Sequence, residues 1–229
     1  MTLLPRQAAR LSFQPEPDDR AITSLVAELA SLLAPPLCAA CAANRPDDGA
    51  LCEPCKGELA TAPRILEAGP YGIDLAISAS PFEGVAKRLV HGLKFGRRLA
   101  LAGVAAEAML RALPDAVAAA GVVPVPPDPF RLRWRGFDPA EELALAFATA
   151  AGRPFTPCLR RARGRRQVGR MRSHRLAGPP RVWAVTAPAA EVLLVDDVWT
   201  TGATLSACAR ALRDAGSGRI VALTLAHAL

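Results

Sequence analysis

Four apolar residues in a row, Val192 to Val195, give the pattern of a strand buried on both faces, as in a parallel sheet. Asp196 and Asp197 follow, where that strand is expected to end. Beyond the small-residue turn Thr200-Thr201-Gly202-Ala203-Thr204, Leu205, Cys208, Ala209 and Leu212 fall on one helical face. Asp74 to Ser80 alternates as a strand that Pro81 closes. Gly84–Phe95 and Leu99–Leu113 carry helical spacing, divided by Gly96-Arg97-Arg98. Gly121 to Pro127 reads as a further strand ending in prolines, and Arg131 to Phe137 as a basic turn. A helix follows from about Pro139 to Ala151, with Asp138 as its cap and Leu143, Ala144, Phe147 and Ala148 as its core stripe. Arg181–Thr186 and Arg219–Ala226 are expected to complete the sheet, with Gly216-Ser-Gly218 stopping the helix between the signature turn and the last strand. Near the start, Ile22 to Ala34 has an amphipathic helical pattern that Pro35-Pro36 ends.

Two Cys-x-x-Cys pairs, Cys38/Cys41 and Cys52/Cys55, stand ten residues apart. Knuckles this close can place four thiolates around one Zn²⁺. The spacer from Ala42 to Leu51 is rich in Asn, Pro, Asp and Gly, which suits a loop between them. A redox Cys-x-x-Cys normally opens a helix and is not doubled, so the spacing favours zinc over thiol chemistry. Four protein ligands leave no open position, which makes the expected zinc structural.

The turn after Asp197 points to a phosphate. A turn between a buried strand and a helix start presents unpaired backbone N–H groups and the positive end of the helix dipole. Gly202 permits close backbone approach, and three threonines add hydroxyl donors. Two carboxylates beside such a site would repel an anion, so they suit sugar hydroxyls or a Mg²⁺.

Composition refines this picture only locally. The 229 residues are 51% hydrophobic, ample for a core, and no apolar run approaches the ~20 residues that cross a bilayer. The first residues, Met1 to Asp19, hold prolines and charges in place of an apolar signal core, so the expectation is a cytoplasmic protein with its cysteines as thiols or metal ligands. The net charge is +7, yet eight arginines and no acids lie between Arg160 and Arg175, and without them the chain stands at −1. That stretch either closes over a polyphosphate, binds nucleic acid or forms a solvated loop; its place just upstream of the acidic pair ranks closure first. The basic turn with Arg131, Arg133 and Arg135 is a candidate for a second anionic group. Lys94 at a helix end is equally a solvated cation and a ligand contact, and Trp134 either stacks on a base or pins its loop. His91, His174 and His227 are read as packing or solvated residues, and Cys158 and Cys208 as buried thiols.

The segment from Glu191 to Leu205 closely resembles the phosphoribosyl pyrophosphate (PRPP) signature of type I phosphoribosyltransferases. The chain from Leu32 onward resembles the ComF family: the paired knuckles, Leu93-Lys94-Phe95-Gly96, Val123-Pro-Val-Pro126, Arg135-Gly136-Phe137, Arg163 with Gln167 and Arg175, and the PRPP signature. Asp138 and Gly178 stand where that family usually has asparagine. The resemblance implies an N-terminal tail with a short helix (1–34), a four-cysteine zinc ribbon (35–62) and a type I phosphoribosyltransferase-like domain (63–229). It assigns Asp196 and Asp197 to the ribose hydroxyls and Thr200, Thr201, Gly202, Ala203 and Thr204 to the 5′-phosphate. Lys94, Arg131, Arg133, Arg135, Arg165, Arg166 and Arg170 fall to the pyrophosphate, which brings Mg²⁺. The implied activity is phosphoribosyl transfer to an acceptor the sequence does not name. The implied cellular setting is competence and DNA uptake, with single-stranded DNA or a helicase as partner. A PRPP-sensing adaptor without turnover is the alternative, and the oligomeric state, a dimer included, stays open.

Overall fold

A computed structural model describes residues 37–43, 50–95, 100–115, 117, 121–162 and 180–228. The expected helix over 22–34 and the arginines beyond position 162 of the basic run, Arg165, Arg166 and Arg170 among them, lie outside these residues, as does His174. Residues 37–229 form one compact unit.

A five-stranded sheet in the order β1-β2-β7-β6-β3 organises the described part: β1 (Ile65–Glu67), β2 (Leu75–Pro81), β3 (Gly121–Pro124), β6 (Glu191–Trp199) and β7 (Arg219–His227). The pairs β2–β7, β7–β6 and β6–β3 are parallel, and only β1 runs antiparallel at its edge. The central strands read as continuous apolar runs because helices cover both faces. One face carries α2 (Gly84–Phe95), α3 (Ala100–Ala112) and α5 (Pro139–Ala150), whose Leu89, Leu93, Met109, Leu143 and Phe147 pack with Ile77, Leu193, Val195 and Leu223. The other carries α6 (Ala203–Asp214), whose Leu205, Cys208, Ala209 and Leu212 pack with Val192, Leu194, Ile220 and Ala222. The structure is therefore α/β, with a mostly parallel sheet between helices. No helix among the described residues is long and apolar enough to cross a membrane.

Three elements depart from the sequence reading. The basic turn is a seven-residue helix, α4 (Pro129–Arg135), which Asp128 caps by accepting from the N–H groups of Phe130 at 2.9 Å and Arg131 at 3.4 Å. Gly136 ends it in the left-handed conformation at φ 78°. Residues 182–184 do not join the main sheet. They form β5 (Val182–Ala184), antiparallel to β4 (Leu159–Arg161), in a two-stranded ribbon whose buried residues pack with those of α6. These short, half-exposed strands lack the apolar run that burial on both faces requires. Finally, β6 does not stop at the acids but continues to Trp199, paired with His227.

The cysteine segment is built into the main core. Cys38, Leu51, Cys52, Cys55 and Leu59 share one buried cluster with α2 and α3. The second knuckle opens α1 (Glu53–Thr61), with Cys52 at its N-cap and a proline in its first turn. From α1, Glu58 accepts the N–H of Val85 at 2.6 Å and so caps the start of α2.

Candidate functional site

β6 delivers the two aspartates where the ladder breaks. Its pairing with β7 runs Asp196↔Thr224 and then Val198↔Ala226, and the β2–β7 pairing likewise passes over Leu225. Asp197 thus has no ladder partner, and its N–H is donated instead to Asp196 Oδ1 at 2.8 Å. Side chains beyond the break change sides: Val198 packs on the face of Leu193 and Val195, and Trp199 on the face of Val192 and Leu194.

Asp197 is buried, and its Oδ2 lies 3.0 Å from Lys94 Nζ in the last turn of α2. Asp196 is half-buried. Desolvation, then the charge of Asp197, holds its carboxyl well above the usual range, against the opposing Asp197 N–H and Lys94 charge. A third carboxylate joins them. Asp138, 9% exposed at the start of α5, accepts the Ala140 N–H through Oδ1 at 3.3 Å, and its Oδ2 is buried without a partner. Burial raises it to about 7, with the charges of Glu141 and Asp197 adding to the rise. The expected cap is therefore also a member of the acidic cluster, which proximity in sequence could not reveal.

That pKa has a consequence for stability. A carboxyl whose folded pKa lies above its unfolded value binds a proton more tightly in the folded state. Stability that Asp138 contributes is full at about pH 4 and is lost as pH rises toward 7. Asp138→Asn keeps an acceptor for Ala140 and carries no charge. It is expected to raise stability at pH 8 by on the order of 2–4 kcal/mol and to flatten the slope between pH 4 and 7 in urea titrations.

The same end of α2 gathers arginine. Arg135, last in α4, places its guanidinium 5.0 Å from the centre of the Phe95 ring, and its Nε is buried without a partner. Arg131 and Arg133 are exposed on α4. Lys94 and Arg135 thus converge on the α2 terminus, while no described contact ties Arg131 or Arg133 to the aspartates. An open groove of about 500 Å³ between the knuckle and the outer face of α2 is lined by Ala39, Ala40, Lys87, Arg88, His91, Gly92 and Phe95. None of the three carboxylates lines it.

The threonine turn sits at the mouth of α6. Gly202 is its N-cap at φ 74° and has no side chain to cap the helix, while Thr201 Oγ1 accepts the Ala203 N–H at 3.5 Å. Thr200 and Thr201 are exposed, and Thr204 half-exposed. The helix N-terminus therefore presents backbone donors and hydroxyls together. A Cβ on residue 202 would lie 2.9 Å from Pro70 Cγ and 3.2 Å from Trp199 Nε1, in a conformation side chains avoid. Gly202→Ala is expected to cost about 1–3 kcal/mol, measured by urea unfolding. Trp199 is held by its stack on His227, with ring centres 4.2 Å apart and planes 10° apart. Sequence reasoning gave His227 no partner; the strand pairing that continues to Trp199 supplies one.

The four knuckle sulfurs lie within 4.8 Å of one another, a set that could hold a metal such as zinc. Cys41 and Cys52 Sγ are 3.5 Å apart. A tetrahedron with Zn–S near 2.3 Å has edges of roughly 3.8 Å, so only a small adjustment brings the set to ligation distances. Burial raises the Cys38 thiol, but the N–H groups of Cys52, Cys41 and Ala40 outweigh it and bring it down to about 6. Burial and the neighbouring thiols push Cys55 well up. Four thiolates together need a cation, which is the physical reason the cluster fits one.

No protein-family model matches the chain, and a search of curated proteins finds no match.

Proposed function

We propose that this chain is a PRPP-binding protein of the type I phosphoribosyltransferase kind, transferring the phosphoribosyl group with release of pyrophosphate, behind a structural zinc site held by Cys38, Cys41, Cys52 and Cys55. The observation that carries the reading is the pairing of two unlike surfaces across one short turn. Asp196 and Asp197 offer carboxylate acceptors, and five residues later Gly202 opens α6 with backbone N–H groups beside the Thr201 hydroxyl, which accepts from the Ala203 N–H at 3.5 Å. Acceptors suit the vicinal hydroxyls of a pentose, and the helix mouth suits its 5′-phosphate.

In this reading Asp197 and Asp196 accept hydrogen bonds from the ribose diol and fix the sugar, while Thr200, Thr201 and Thr204 with the α6 N–H groups hold the phosphate. C1 is then positioned so that its bond to pyrophosphate breaks with the electron pair leaving on oxygen, as a nucleophile bonds from the opposite face. Catalysis of this kind is mostly positioning and stabilisation of leaving-group charge. Lys94, on Asp197, and Arg135, on the neighbouring Phe95, are cations at the α2 terminus, and they suit the departing pyrophosphate. Oxygen donors from the aspartates and the pyrophosphate are those a Mg²⁺ takes, and Mg²⁺ there would neutralise leaving-group charge.

Isothermal titration of PRPP with Mg²⁺ into zinc-loaded protein tests the reading, followed by a pyrophosphate-release screen over bases and amines. Saturable 1:1 binding supports it, and no binding removes it. Binding without release over that screen favours the PRPP-sensing alternative. The DNA-handling reading rests on the arginine run, which from position 163 lies outside the described residues.

A further inference from the structure

Lys94 is spoken for in the free protein. Its ammonium rests on Asp197 at 3.0 Å, with the lysine side chain 24% and the aspartate side chain 8% exposed. This is the same carboxylate that the proposed function gives to the ribose diol. A sugar hydroxyl is a neutral donor and competes poorly with an ammonium for a shielded carboxylate. The diol therefore gains full use of Asp197 only when something else takes the lysine's charge.

We infer that Lys94 is a specificity-determining residue: it guards Asp197 in the resting site and yields it only to a pentose bearing a pyrophosphate at C1. The inference rests on the PRPP-binding reading and deepens it. Pyrophosphate carries more negative charge than one carboxylate and offers several oxygens, so it draws the ammonium across. Lys94 has the reach for this, standing in the last turn of α2 on a flexible four-carbon stem. A second cation converges on the same helix end. Arg135 stacks on Phe95, and its buried Nε–H has no acceptor, a donor the pyrophosphate would satisfy. Ribose 5-phosphate has the diol and the 5′-phosphate but nothing at C1 to receive Lys94, so it meets the guarded form of the site.

The test compares two ligands on the full-length, zinc-loaded chain. Ribose 5-phosphate and PRPP with Mg²⁺ are titrated calorimetrically into wild type, Lys94→Met and Lys94→Arg. Removing the ammonium is expected to tighten ribose 5-phosphate about tenfold, because the diol no longer competes, and to weaken PRPP about tenfold, because pyrophosphate loses its partner. The preference for PRPP over ribose 5-phosphate thus falls about a hundredfold in Lys94→Met and is largely kept in Lys94→Arg. Equal weakening of both ligands in Lys94→Met, with PRPP still bound by wild type, overturns the guard while leaving the PRPP reading intact. Wild type that binds neither ligand overturns both. Thermal melts of each variant confirm that the comparison is made on folded protein.

Discussion

Cys55→Ser is expected to abolish stoichiometric zinc binding and to lower the melting temperature by about 6–20 °C. Cys55 is buried at the start of α1 and shares a core cluster with Leu51, Leu59 and the α2 and α3 side chains. In isolated zinc modules the apparent binding free energy is about 10–16 kcal/mol, comparable to the whole stability of a typical domain. Here apolar contacts from Leu51 and Leu59 remain, so only part of that is lost. A loss of about 3–5 kcal/mol corresponds to the shift given, at ~2–4 °C per kcal/mol for a chain of this size. Because Glu58 caps α2 from α1, loosening the knuckle also frees the Val85 N–H. Metal analysis with differential scanning calorimetry, before and after chelation, checks this. Wild type that carries no zinc and melts unchanged with chelator would contradict it.

The acidic pair carries the second large effect, and its two members are not equivalent. Asp197→Asn is expected to weaken PRPP binding by about two orders of magnitude. It removes a charged acceptor for the diol, on the order of 1.5–3 kcal/mol per bond, a loss offset only in part by Lys94 being already free for the pyrophosphate. Asp196→Asn should cost less, about tenfold. Its carboxyl is held well above the usual range by desolvation and by the charge of Asp197, so its negative charge is less favoured in the site and losing it costs less. Calorimetric titration of each single variant and of the double variant separates the two. Equal effects would show that Lys94 does not distinguish the carboxylates.

Much of this was legible in the chain, for local reasons. Val192–Val195 and the Leu205/Cys208/Leu212 stripe fix β6 and α6 because burial on both faces and burial on one leave different rhythms. Asp138 before Pro139 marks a helix start wherever the helix lies. What escaped was set by neighbours distant in sequence. α4 has no buried residue, so no apolar rhythm announced it; Asp128-Pro129 at its start and Gly136 at its end were its signals. The extension of β6 through two acids depends on β7, whose ladder passes over Leu225. The candidate site likewise needed the fold. Asp196 and Asp197 were visible as a pair, but Lys94 at the end of α2 and Asp138 at the start of α5 reach them only through the fold, as Arg135 at the end of α4 reaches Phe95. Their separations in sequence, from Lys94 to Asp197, carry no hint of it.

The central claim is that the carboxylates of β6 and the mouth of α6 grip one pentose between them. The most direct measurement is a crystal structure with PRPP and Mg²⁺ bound. The account predicts the ribose 2′ and 3′ hydroxyls within hydrogen-bond distance of Asp196 and Asp197, the 5′-phosphate on the N–H groups after Gly202, and Lys94 moved from Asp197 to the pyrophosphate. The ligand seated elsewhere, with Lys94 still on Asp197 and nothing at the α6 mouth, would contradict it.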